Sequence, residues 1–500
     1  MSRSNSFLLR GEFVNVVEVT GKKVLVIGAG RSGVAASRFL AARGAVVALN
    51  DRQPLSEWSD EARALKAKGV GFISGDAPSW LLDQIELLVL SPGVPSQSIP
   101  ARYAERAGAE VIGEVELAAR FLRGRVVAIT GTNGKTTTTA LTGALLREAG
   151  LAVQIGGNIG TPLVSLVDSS TDEGWTVAEL SSYQLETIAT FHPTVAAVLN
   201  LMPDHMDRYQ SMTDYATAKH RIFRKQTPED VAILNADDEL VASWAEGLRA
   251  HVVLFSTARE LEEGLFLRDG SELVSRVRGG AERVLLRRDE MKLLGMHNVQ
   301  NVLAALAVGL ACGASPESMR ETVRSFAPVE HRLERVAEVD GVTFYNDSKA
   351  TNVDAAVKAL GAFADIKGRV VMILGGRGKN APYEPLASLI QAYARALILI
   401  GEDADRIDQE LKFYAPVERA SDMRDAVRRA HAAAKPGDIV LLAPACASFD
   451  MFDNFEHRGQ AFKEAVSQLR GPGAVGQGPA LLHNTRLITD PRPLTPSPQS

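Results

Sequence analysis

The segment 126–139, VVAITGTNGKTTTT, places glycine, lysine and threonine between an apolar run and a helix-compatible run. The apolar run, Val126–Ile129, predicts a buried strand. Glycines between a strand and a helix let backbone N–H groups approach a phosphate at the helix N-terminus, where the helix dipole favours negative charge. Lys135 would then reach the terminal phosphates of a nucleotide, and the Thr136 hydroxyl would bind Mg²⁺.

The glycine spacing of this segment departs from the usual phosphate loop, G-x-x-x-x-G-K-[ST], because Ile129 occupies the first glycine position. A Gly/Thr-rich surface loop or an ordinary strand-to-helix corner would also fit the composition. The Lys-Thr pair directly after a glycine and directly before a helix favours the phosphate site. The residues predicted to contact the phosphates are Gly131, Thr132, Asn133, Gly134, Lys135, Thr136 and Thr137.

Two further apolar runs end in possible metal ligands. Glu179 lies inside the strand-like run 177–180, where a carboxylate is costly unless it is paired or bound to a metal. His205 follows the strand-like run 194–201. Together with Thr136, Glu179 and His205 are the predicted Mg²⁺ ligands, although a loop histidine with ordinary hydrogen bonds is an alternative for His205.

The N-terminal part of the chain carries a second glycine-rich turn. A predicted strand, 23–27, runs into GAGRSG at 28–33 and a helix, and the next predicted strand, 46–49, is ended by Asn50 and Asp51. This order is the dinucleotide-binding fingerprint, which alone favours NAD but also suits the pyrophosphate of another nucleotide. The predicted strand 87–90 ends in Ser91-Pro92-Gly93, either at the ligand edge of the sheet or in a simple β-turn.

Polar clusters in the C-terminal part follow the strand-like runs 342–345, 370–374, 397–400 and 439–442. Because the carboxyl ends of parallel strands form the ligand edge of a doubly wound sheet, this regularity predicts a binding site there.

Two helical segments have more than one explanation. YATAKHRIF, residues 215–223, contains Lys219 among other basic residues and suits a solvated basic helix face. GMHNVQN, residues 295–301, places Asn298 and Asn301 at adjacent turns, where amides read a base or cap the helix.

A chain of 500 residues is too long for one core, and roughly three domains are expected. We predict an α/β protein with an N-terminal extension at 1–20, domains at 21–122, 123–328 and 329–470, and a Pro/Gly/Ser-rich disordered tail at 471–500.

Composition excludes several classes of function. The formal net charge of −5 gives no basic surface for nucleic acid or an anionic membrane. The two cysteines, Cys312 and Cys446, form no CxxC motif, so disulfides and structural zinc are not expected. No signal peptide or 18-residue apolar run is found. These features predict a cytoplasmic protein without membrane insertion, and a monomer is expected.

Ten ordered motifs between residues 131 and 459 resemble the Mur ligases of peptidoglycan synthesis, and among them the enzymes that add D-glutamate, and the resemblance extends over about residues 21–462. The motifs are GTNGKTT, GGNIG, ELSSYQLE, DHMDR, the lysine of YATAKHRI, GMHNVQN, EHRLE, NDSKATN, LGGRGK and PACASFDMFDNFEHRG. The resemblance implies a three-domain architecture with a Rossmann-like N-terminal domain for a UDP-sugar substrate. It further implies a P-loop ATPase-like central domain and a Rossmann-like C-terminal domain for the amino acid.

The resemblance also assigns roles by position. It implies catalytic roles for Lys135, Lys219 and His205, and metal ligation by Thr136, Glu179, His205 and Lys219, the last as an N6-carboxylated lysine that helps to place a second Mg²⁺. It adds Asn158, Asn301, Arg332, Asp347 and Lys349 to the ATP contacts. The D-glutamate site would comprise Thr351, Lys379, Ser448 and Phe455. The UDP-substrate site would comprise Gly30, Arg31, Ser32, Asp51, Arg52, Ser91, Asn158 and His205, although Asn50-Asp51-Arg52 departs from the expected DTR.

The activity implied is an ATP-dependent amide-bond ligase. The carboxylate of UDP-N-acetylmuramoyl-L-alanine would attack the ATP γ-phosphate, and the D-glutamate amine would displace phosphate from the resulting acyl phosphate. An NAD-dependent dehydrogenase would leave the loop at 131–137 without a purpose, and a nucleotide-binding regulatory protein would not need Lys219, Thr351 and Lys379. Another Mur ligase or a folate-type ligase is the nearest alternative, and the glycine turn at Gly28 favours the D-glutamate enzyme.

Overall fold

A computed structural model describes residues 18–469 except 159, 205, 207, 277–281, 328 and 365–366. The predicted tail, and all but the last three residues of the predicted extension, lie outside the described residues. Contacts divide the chain into a first unit, Met1–Glu334 with Asp354–Ile366, and a second unit, Arg335–Val353 with Lys367–Ser500. Among the described residues, no helix combines the length and apolar composition that a bilayer crossing requires.

The first unit begins with a five-stranded parallel sheet. Its strands are β1 Lys23–Ile27, β2 Val46–Asp51, β3 Gly71–Ser74, β4 Leu87–Leu90 and β5 Glu110–Gly113. Its helices are α1 Arg31–Ala42, α2 Asp60–Ala64, α3 Ser79–Leu82, α4 Ile99–Arg106 and α5 Glu114–Ala119. The strand order is β3-β2-β1-β4-β5, so the chain changes direction across the sheet between β1 and β4. The loops that follow these two strands therefore border the crevice where such sheets bind ligands.

The same unit contains a nine-stranded sheet. Its strands are β6 Arg125–Thr130, β7 Val153–Gly157, β8 Trp175–Glu179, β9 Val195–Val198, β10 Val231–Asn235, β11 His251–Ser256, β12 Gly264–Arg268, β13 Glu272–Arg276 and β14 Arg283–Arg287. Its helices are α6 Lys135–Glu148, α7 Ser182–Leu185, α8 Met212–His220, α9 Glu239–Ala242, α10 Met296–Ala311 and α11 Pro316–Ser325. The order is β14-β13-β12-β11-β10-β9-β6-β8-β7, with antiparallel pairing only at β12–β13 and β13–β14 among the described pairs.

The strand β6 lies between β8 and β9, and all three are almost entirely buried. Burial on both faces explains why these strands are continuous apolar runs, as is usual for parallel strands covered by helices. The helix that follows β6, α6, packs against α10 and against the sheet. Gly143 permits this close approach, because a Cβ atom there would lie 2.1 Å from Ile155 Cδ1.

The second unit is built on a six-stranded sheet. Its strands are β15 Glu334–Val339, β16 Val342–Asn346, β17 Val370–Gly375, β18 Ala394–Ile400, β19 Val417–Arg419 and β20 Ile439–Leu442. The helices of this part of the chain are α12 Val353–Gly361, α13 Ala387–Tyr393, α14 Ala404–Leu411, α15 Met423–Ala433 and α16 Phe455–Leu469. The order is β15-β16-β20-β17-β18-β19, and the strands from β16 to β19 run parallel. Residues 354–361 of α12 group with the first unit.

The prediction of an α/β protein with three sheet-based domains is confirmed, while the domain boundaries stay a prediction. The strand predicted at 194–201 is shorter than expected, since β9 ends at Val198. Beyond it the chain leaves the sheet, and Asn200 accepts a hydrogen bond on its carbonyl oxygen from Thr132 N at 2.9 Å. Short 3₁₀ segments complete the described helices: Leu55–Glu57, Leu65–Lys68, Leu163–Ser169, Arg221–Phe223, Ser243–Gly247, Arg288–Glu290 and Glu384–Leu386.

Candidate functional site

The predicted phosphate loop connects β6 to α6, as its sequence indicates. Gly134 is the N-cap residue of α6 and has φ 84°, in the left-handed region that glycine adopts most readily. A Cβ atom at this position would also lie 2.1 Å from Asn301 Oδ1. Both backbone conformation and space therefore require glycine immediately before Lys135.

Two lysines converge on one carbonyl oxygen of the loop. Lys135 Nζ donates to Gly131 O at 2.9 Å and to Thr132 O at 2.8 Å. Lys219 Nζ donates to the same Gly131 O at 2.9 Å and to Thr130 Oγ1 at 3.3 Å. Only 1% of Lys219 is exposed, so its interpretation as part of a solvated basic face is wrong.

The environment of Lys219 favours a neutral amine. Burial, together with the nearby positive charge of Lys135, lowers the pKa of Lys219 well below its usual value. A neutral amine retains the lone pair with which lysine attacks an electrophile such as CO₂. The position is thus chemically suited to N6-carboxylation.

Glu179 supports a cation site at the same end of the sheet. It is 2% exposed, and its Oε1 accepts a hydrogen bond from Asn158 Nδ2 at 2.9 Å. Its Oε2 is buried without a hydrogen-bond partner. A buried carboxylate oxygen in this state is costly unless a cation is bound, so Glu179 fits the predicted Mg²⁺.

The other predicted metal ligands are Thr136 and His205. Thr136 is largely buried in the first turn of α6, and its Oγ1 accepts a hydrogen bond from Arg332 Nη2 at 3.3 Å. This places the predicted nucleotide residue Arg332 beside the phosphate loop. His205 lies outside the described residues, and its assignment stays a prediction.

Asn200 is a loop contact that sequence reasoning did not identify. Its Oδ1 accepts a hydrogen bond from Asn133 N at 2.8 Å, and its Nδ2 donates to Asn133 O at 3.1 Å. The Asn200 side chain thus binds both the backbone N–H and the backbone carbonyl of Asn133, in the middle of the loop. Its position directly after a buried strand was the available signal, but the pairing depends on β9 lying beside β6.

Tyr215 supports the loop from α8. Its hydroxyl lies 3.0 Å from Thr132 Oγ1, and burial raises the pKa of this tyrosine. Lys219 Nζ lies 4.8 Å from the centre of the Tyr215 ring. The helix therefore presents both residues to the phosphate loop.

The two asparagines of α10 brace α6. Asn301 Nδ2 donates to Asn298 Oδ1 at 3.0 Å, and Thr138 Oγ1 donates to Asn301 Oδ1 at 3.4 Å. Asn298 Nδ2 donates to Leu294 O at 2.7 Å. The N-cap residue of α10 is Gly295, and no side chain forms a capping hydrogen bond at this helix end. The interpretation of either asparagine as a helix cap is therefore wrong. A nucleotide contact by Asn301 stays a prediction.

The predicted UDP-substrate residues of the first sheet line two neighbouring cavities of about 410 and 440 Å³. The two cavities share Gly28, Asp51, Gly93 and Val94. Arg52 lines the first, and the second is lined by Gly30, Arg31, Ser32 and Ser91. The structure thus brings the six predicted residues of this sheet to one crevice. Asn158 directly follows β7 of the nine-stranded sheet. Two residues further on, Gly160 O accepts a hydrogen bond from Arg31 Nη1 at 3.3 Å.

The departure at Asn50-Asp51-Arg52 has a structural explanation. Asn50 is buried, and its Nδ2 donates to Ile73 O at 3.0 Å and Gly75 O at 2.8 Å, which joins β2 to the end of β3. Asp51 accepts hydrogen bonds from Ala29 N at 2.7 Å and Gln53 N at 3.0 Å. A dinucleotide fold uses this acid for a ribose, whereas here both oxygens bind backbone N–H groups.

The predicted D-glutamate residues lie in the second unit, after the carboxyl ends of its strands. Thr351 follows β16, Lys379 follows β17 and is exposed, Ser448 follows β20 and is buried, and Phe455 begins α16. The predicted nucleotide residues Asp347 and Lys349 also follow β16, and Lys349 Nζ lies 3.5 Å from the centre of the Phe455 ring. This distance is typical of a cation–π contact.

Arg458 is a buried residue of this unit that the sequence reasoning missed. Its guanidinium donates to Ser348 Oγ at 3.0 Å, Ser348 O at 2.8 Å and Cys446 O at 3.0 Å, and only 1% of the residue is exposed. Burial lowers the pKa of Arg458 to about 10. The arginine ties together the segments that carry Lys349 and Ser448.

Three protein-family models match successive parts of the chain. The MurD-like N-terminal domain of Mur ligases matches residues 22–113, the Mur ligase middle domain matches residues 129–309, and the Mur ligase glutamate ligase domain matches residues 331–446.

Relatives match nearly the whole chain. A UDP-N-acetylmuramoylalanine–D-glutamate ligase from Acidobacterium capsulatum is 47% identical over 92% of this chain and 99% of its own. The enzyme of the same name from Koribacter versatilis is 46% identical over 91% of this chain and 99% of its own. Among solved structures, the MurF ligase from Thermotoga maritima in complex with ADP covers 91% of this chain and 97% of its own, with a TM-score of 0.57 and 16% identity. The last similarity shows the shared fold.

Proposed function

The chain belongs to the Mur ligase family, in the branch of the UDP-N-acetylmuramoylalanine–D-glutamate ligases, and we propose that its residues couple ATP cleavage to the addition of D-glutamate to UDP-N-acetylmuramoyl-L-alanine. One observation carries the proposal for the phosphate site. Lys135 and Lys219 converge on Gly131 O, at the end of the sheet where Glu179 has an unpartnered carboxylate oxygen. Cationic and anionic groups of this kind suit a phosphate and its counter-ion.

The first step is transfer of the ATP γ-phosphoryl group. A carboxylate oxygen of UDP-N-acetylmuramoyl-L-alanine bonds to the γ-phosphorus, the bond to the β,γ-bridging oxygen breaks, and ADP leaves. The backbone N–H groups of the loop and Lys135 bind the transferred group, so Lys135 exchanges the carbonyl contacts of Gly131 and Thr132 for phosphate oxygens.

The second step forms the amide. The amine of D-glutamate attacks the acyl carbon, the bond to the phosphate oxygen breaks, and the amine loses a proton. Exclusion of water protects the acyl phosphate until the amine arrives.

Thr136, Glu179 and His205 would hold Mg²⁺, and an N6-carboxylated Lys219 would help to hold a second ion. Mg²⁺, when bound, offsets the negative charge that accumulates between the phosphates and the carboxylates. In its neutral form, the Lys219 amine would add to CO₂ with loss of one proton to solvent, which would convert the buried lysine into an anionic ligand.

The remaining substrate contacts are assigned to residues of the three sheet-based domains. Arg31, Ser32, Asp51, Arg52 and Ser91, with Gly30, would bind the UDP moiety in the crevice of the first sheet. Thr351, Lys379, Ser448 and Phe455 would bind D-glutamate, where the exposed ammonium of Lys379 suits a substrate carboxylate. Asn301, Arg332, Asp347 and Lys349 would contact the nucleotide.

The same proposal includes the domain boundaries 21–122, 123–328 and 329–470, a monomer in solution and a cytoplasmic location. Sedimentation at the concentration of the activity assay tests the monomer. A dimer as the only active species would contradict it.

Phosphate release tests the function. The assay contains ATP, Mg²⁺ and UDP-N-acetylmuramoyl-L-alanine, with D-glutamate, L-glutamate, L-lysine or no amino acid. We expect release with D-glutamate alone. Release that depends on another amino acid would assign a different Mur ligase activity, and no release with any of them would overturn the proposal.

A further inference from the structure

We propose that Arg208 and Glu186 are positioning residues that fix the Pro92–Ser96 turn of the UDP-substrate crevice on the nine-stranded sheet. The inference rests on the proposed function. It concerns two charged side chains that have no role in the steps described above.

The two side chains form a bidentate ion pair. Arg208 Nε donates to Glu186 Oε1 at 3.2 Å, and Arg208 Nη2 donates to Glu186 Oε2 at 2.8 Å. Both side chains are 13% exposed. The guanidinium carbon also lies 4.0 Å from the centre of the Tyr183 ring. The two hydrogen bonds to Glu186 and the stacked Tyr183 ring together fix the plane of the guanidinium group. A lysine ammonium cannot make the same planar, two-point contact.

The pair reaches across to the turn after β4. Arg208 Nη1 donates to Pro92 O at 3.3 Å, and Arg208 Nη2 lies 3.5 Å from its acceptor Val94 O. Ser96 Oγ donates to Glu186 Oε2 at 2.9 Å. Val94 lines both cavities of the crevice. Each member of the ion pair therefore contacts the segment that forms one wall of the predicted UDP-substrate site.

The other side of the pair leads to the phosphate loop. Tyr209 OH donates to Glu186 Oε1 at 2.8 Å, and the rings of Tyr209 and Tyr215 lie 5.3 Å apart. The Tyr215 hydroxyl lies 3.0 Å from Thr132 Oγ1. An unbroken series of contacts thus connects the wall of the UDP-substrate crevice with the loop predicted to hold the ATP phosphates.

This arrangement gives the partly buried ion pair a role in alignment. The acceptor carboxylate of the UDP-substrate must lie at reacting distance from the γ-phosphate, and the two binding regions belong to different sheets. Small errors in such an alignment reduce rates and apparent affinities strongly. Arg208 and Glu186 fix the alignment without contacting either substrate.

The test compares Arg208→Lys, Arg208→Gln and Glu186→Gln with the wild-type enzyme. We expect KM for UDP-N-acetylmuramoyl-L-alanine to rise by about tenfold in Arg208→Gln, as misalignment of a substrate predicts. The rise should be smaller in Arg208→Lys, and KM for D-glutamate should not change. Ser96→Ala removes one contact and leaves the ion pair intact, so it tests the turn in a protein that keeps its buried charges.

Arg395→Lys is the matched control. Arg395 donates to Asp438 at 3.1 Å through Nη2 in a partly buried pair of the second unit, remote in sequence from the crevice. It should lose thermal stability without a change in KM for the UDP-substrate. Folding is checked by circular dichroism and by binding of ATP.

The outcomes separate the two proposals. A wild-type enzyme without D-glutamate-dependent phosphate release would overturn the proposed function. An active wild type with unchanged KM for the UDP-substrate in Arg208→Gln and Ser96→Ala would overturn the positioning role alone. Equal losses for all three substrates would also overturn it, since they would indicate general destabilisation.

Discussion

Lys135 is the first residue of α6, and its ammonium group contacts the carbonyl oxygens of Gly131 and Thr132. Lys135→Ala removes the cation expected to stabilise the transferred phosphoryl group, and we expect ADP release to fall by about 10³-fold. Calorimetric binding of the UDP-substrate should stay close to the wild-type value. The exposed Lys225 lies on the same unit, so Lys225→Ala is the control for loss of one positive charge. Turnover that survives Lys135→Ala would remove this residue from the mechanism.

Asn200 makes two hydrogen bonds to the backbone of Asn133. Asn200→Ala leaves both groups of that peptide residue without their partner and loosens the phosphate loop. We expect KM for ATP to rise by about tenfold, since one or two hydrogen bonds of ordinary strength are lost. Steady-state kinetics with ATP as the varied substrate measures the effect. If KM and kcat match the wild-type values, the contact does not shape the loop.

Lys219 combines deep burial with a pKa lowered by desolvation and by Lys135. If its neutral amine captures CO₂, protein incubated with ¹³C-bicarbonate gains a carbamate resonance in its ¹³C spectrum. The resonance should be missing from Lys219→Met and present in Lys225→Ala. A resonance retained in Lys219→Met would place the carbamate elsewhere, and none in the wild type would exclude it under the conditions used.

Among the secondary-structure elements, the strand, turn and helix of the phosphate loop could be predicted from the sequence. The side chains that contact the loop from other elements could not. The run of apolar residues before Gly131 and the Lys-Thr pair after Gly134 define a strand, a turn and a helix from local sequence alone. Around Lys219, the local sequence predicts a helix with mixed apolar and basic residues. It does not predict which face of that helix is buried. Burial of that face follows from the packing of α8 beneath the loop, which depends on distant strands.

The contact between α5 and the 3₁₀ segment Leu163–Ser169 contains a titratable group. Glu114 is buried, its Oε1 accepts a hydrogen bond from Val164 N at 2.7 Å, and burial raises its pKa to about 7. Because the folded-state pKa exceeds the usual glutamate value of 4.5, protonation favours the folded state. This contribution is complete below pH 4.5 and is lost as the pH rises through about 7.

Glu114→Gln keeps an acceptor for Val164 N and removes the titration. We expect the variant to be more stable than the wild type at pH 8 by about 3 kcal/mol, with little difference at pH 4.5. Melting temperatures measured across this range test the effect, with the exposed Glu57→Gln as control. Parallel melting curves for wild type and Glu114→Gln at every pH would show that Glu114 titrates normally.

At the scale of the whole molecule, ten ordered motifs were enough to predict three α/β domains and the family. The resemblance also predicted six UDP-substrate residues on the first sheet, and the structure brings them to one crevice. The buried Arg458 was not predicted, because one arginine in a helix gives no sign that the segments of Ser348 and Cys446 fold against it. Asn50 shows the same limit, since its two backbone acceptors lie more than twenty residues away.

Ligand-dependent stability distinguishes the crevice of the first sheet from an NAD site. Asp51 binds the backbone N–H groups of Ala29, in the glycine turn after β1, and of Gln53, so we expect UDP-N-acetylmuramoyl-L-alanine, and not NAD, to raise the melting temperature. A ligand at 100 times its Kd stabilises the folded protein by about 2.7 kcal/mol. Stabilisation by NAD alone would contradict the proposed occupant of this crevice.

The proposed reaction activates the substrate carboxylate with ATP and lets the D-glutamate amine attack the resulting acyl phosphate. Its most direct test uses UDP-N-acetylmuramoyl-L-alanine labelled with ¹⁸O in both carboxylate oxygens. We expect one ¹⁸O in each phosphate released and one ¹⁸O retained in the amide product. Both labelled products should form only when D-glutamate is present. Unlabelled phosphate accompanied by amide product would contradict the acyl-phosphate route, and no amide product with D-glutamate would contradict the function itself.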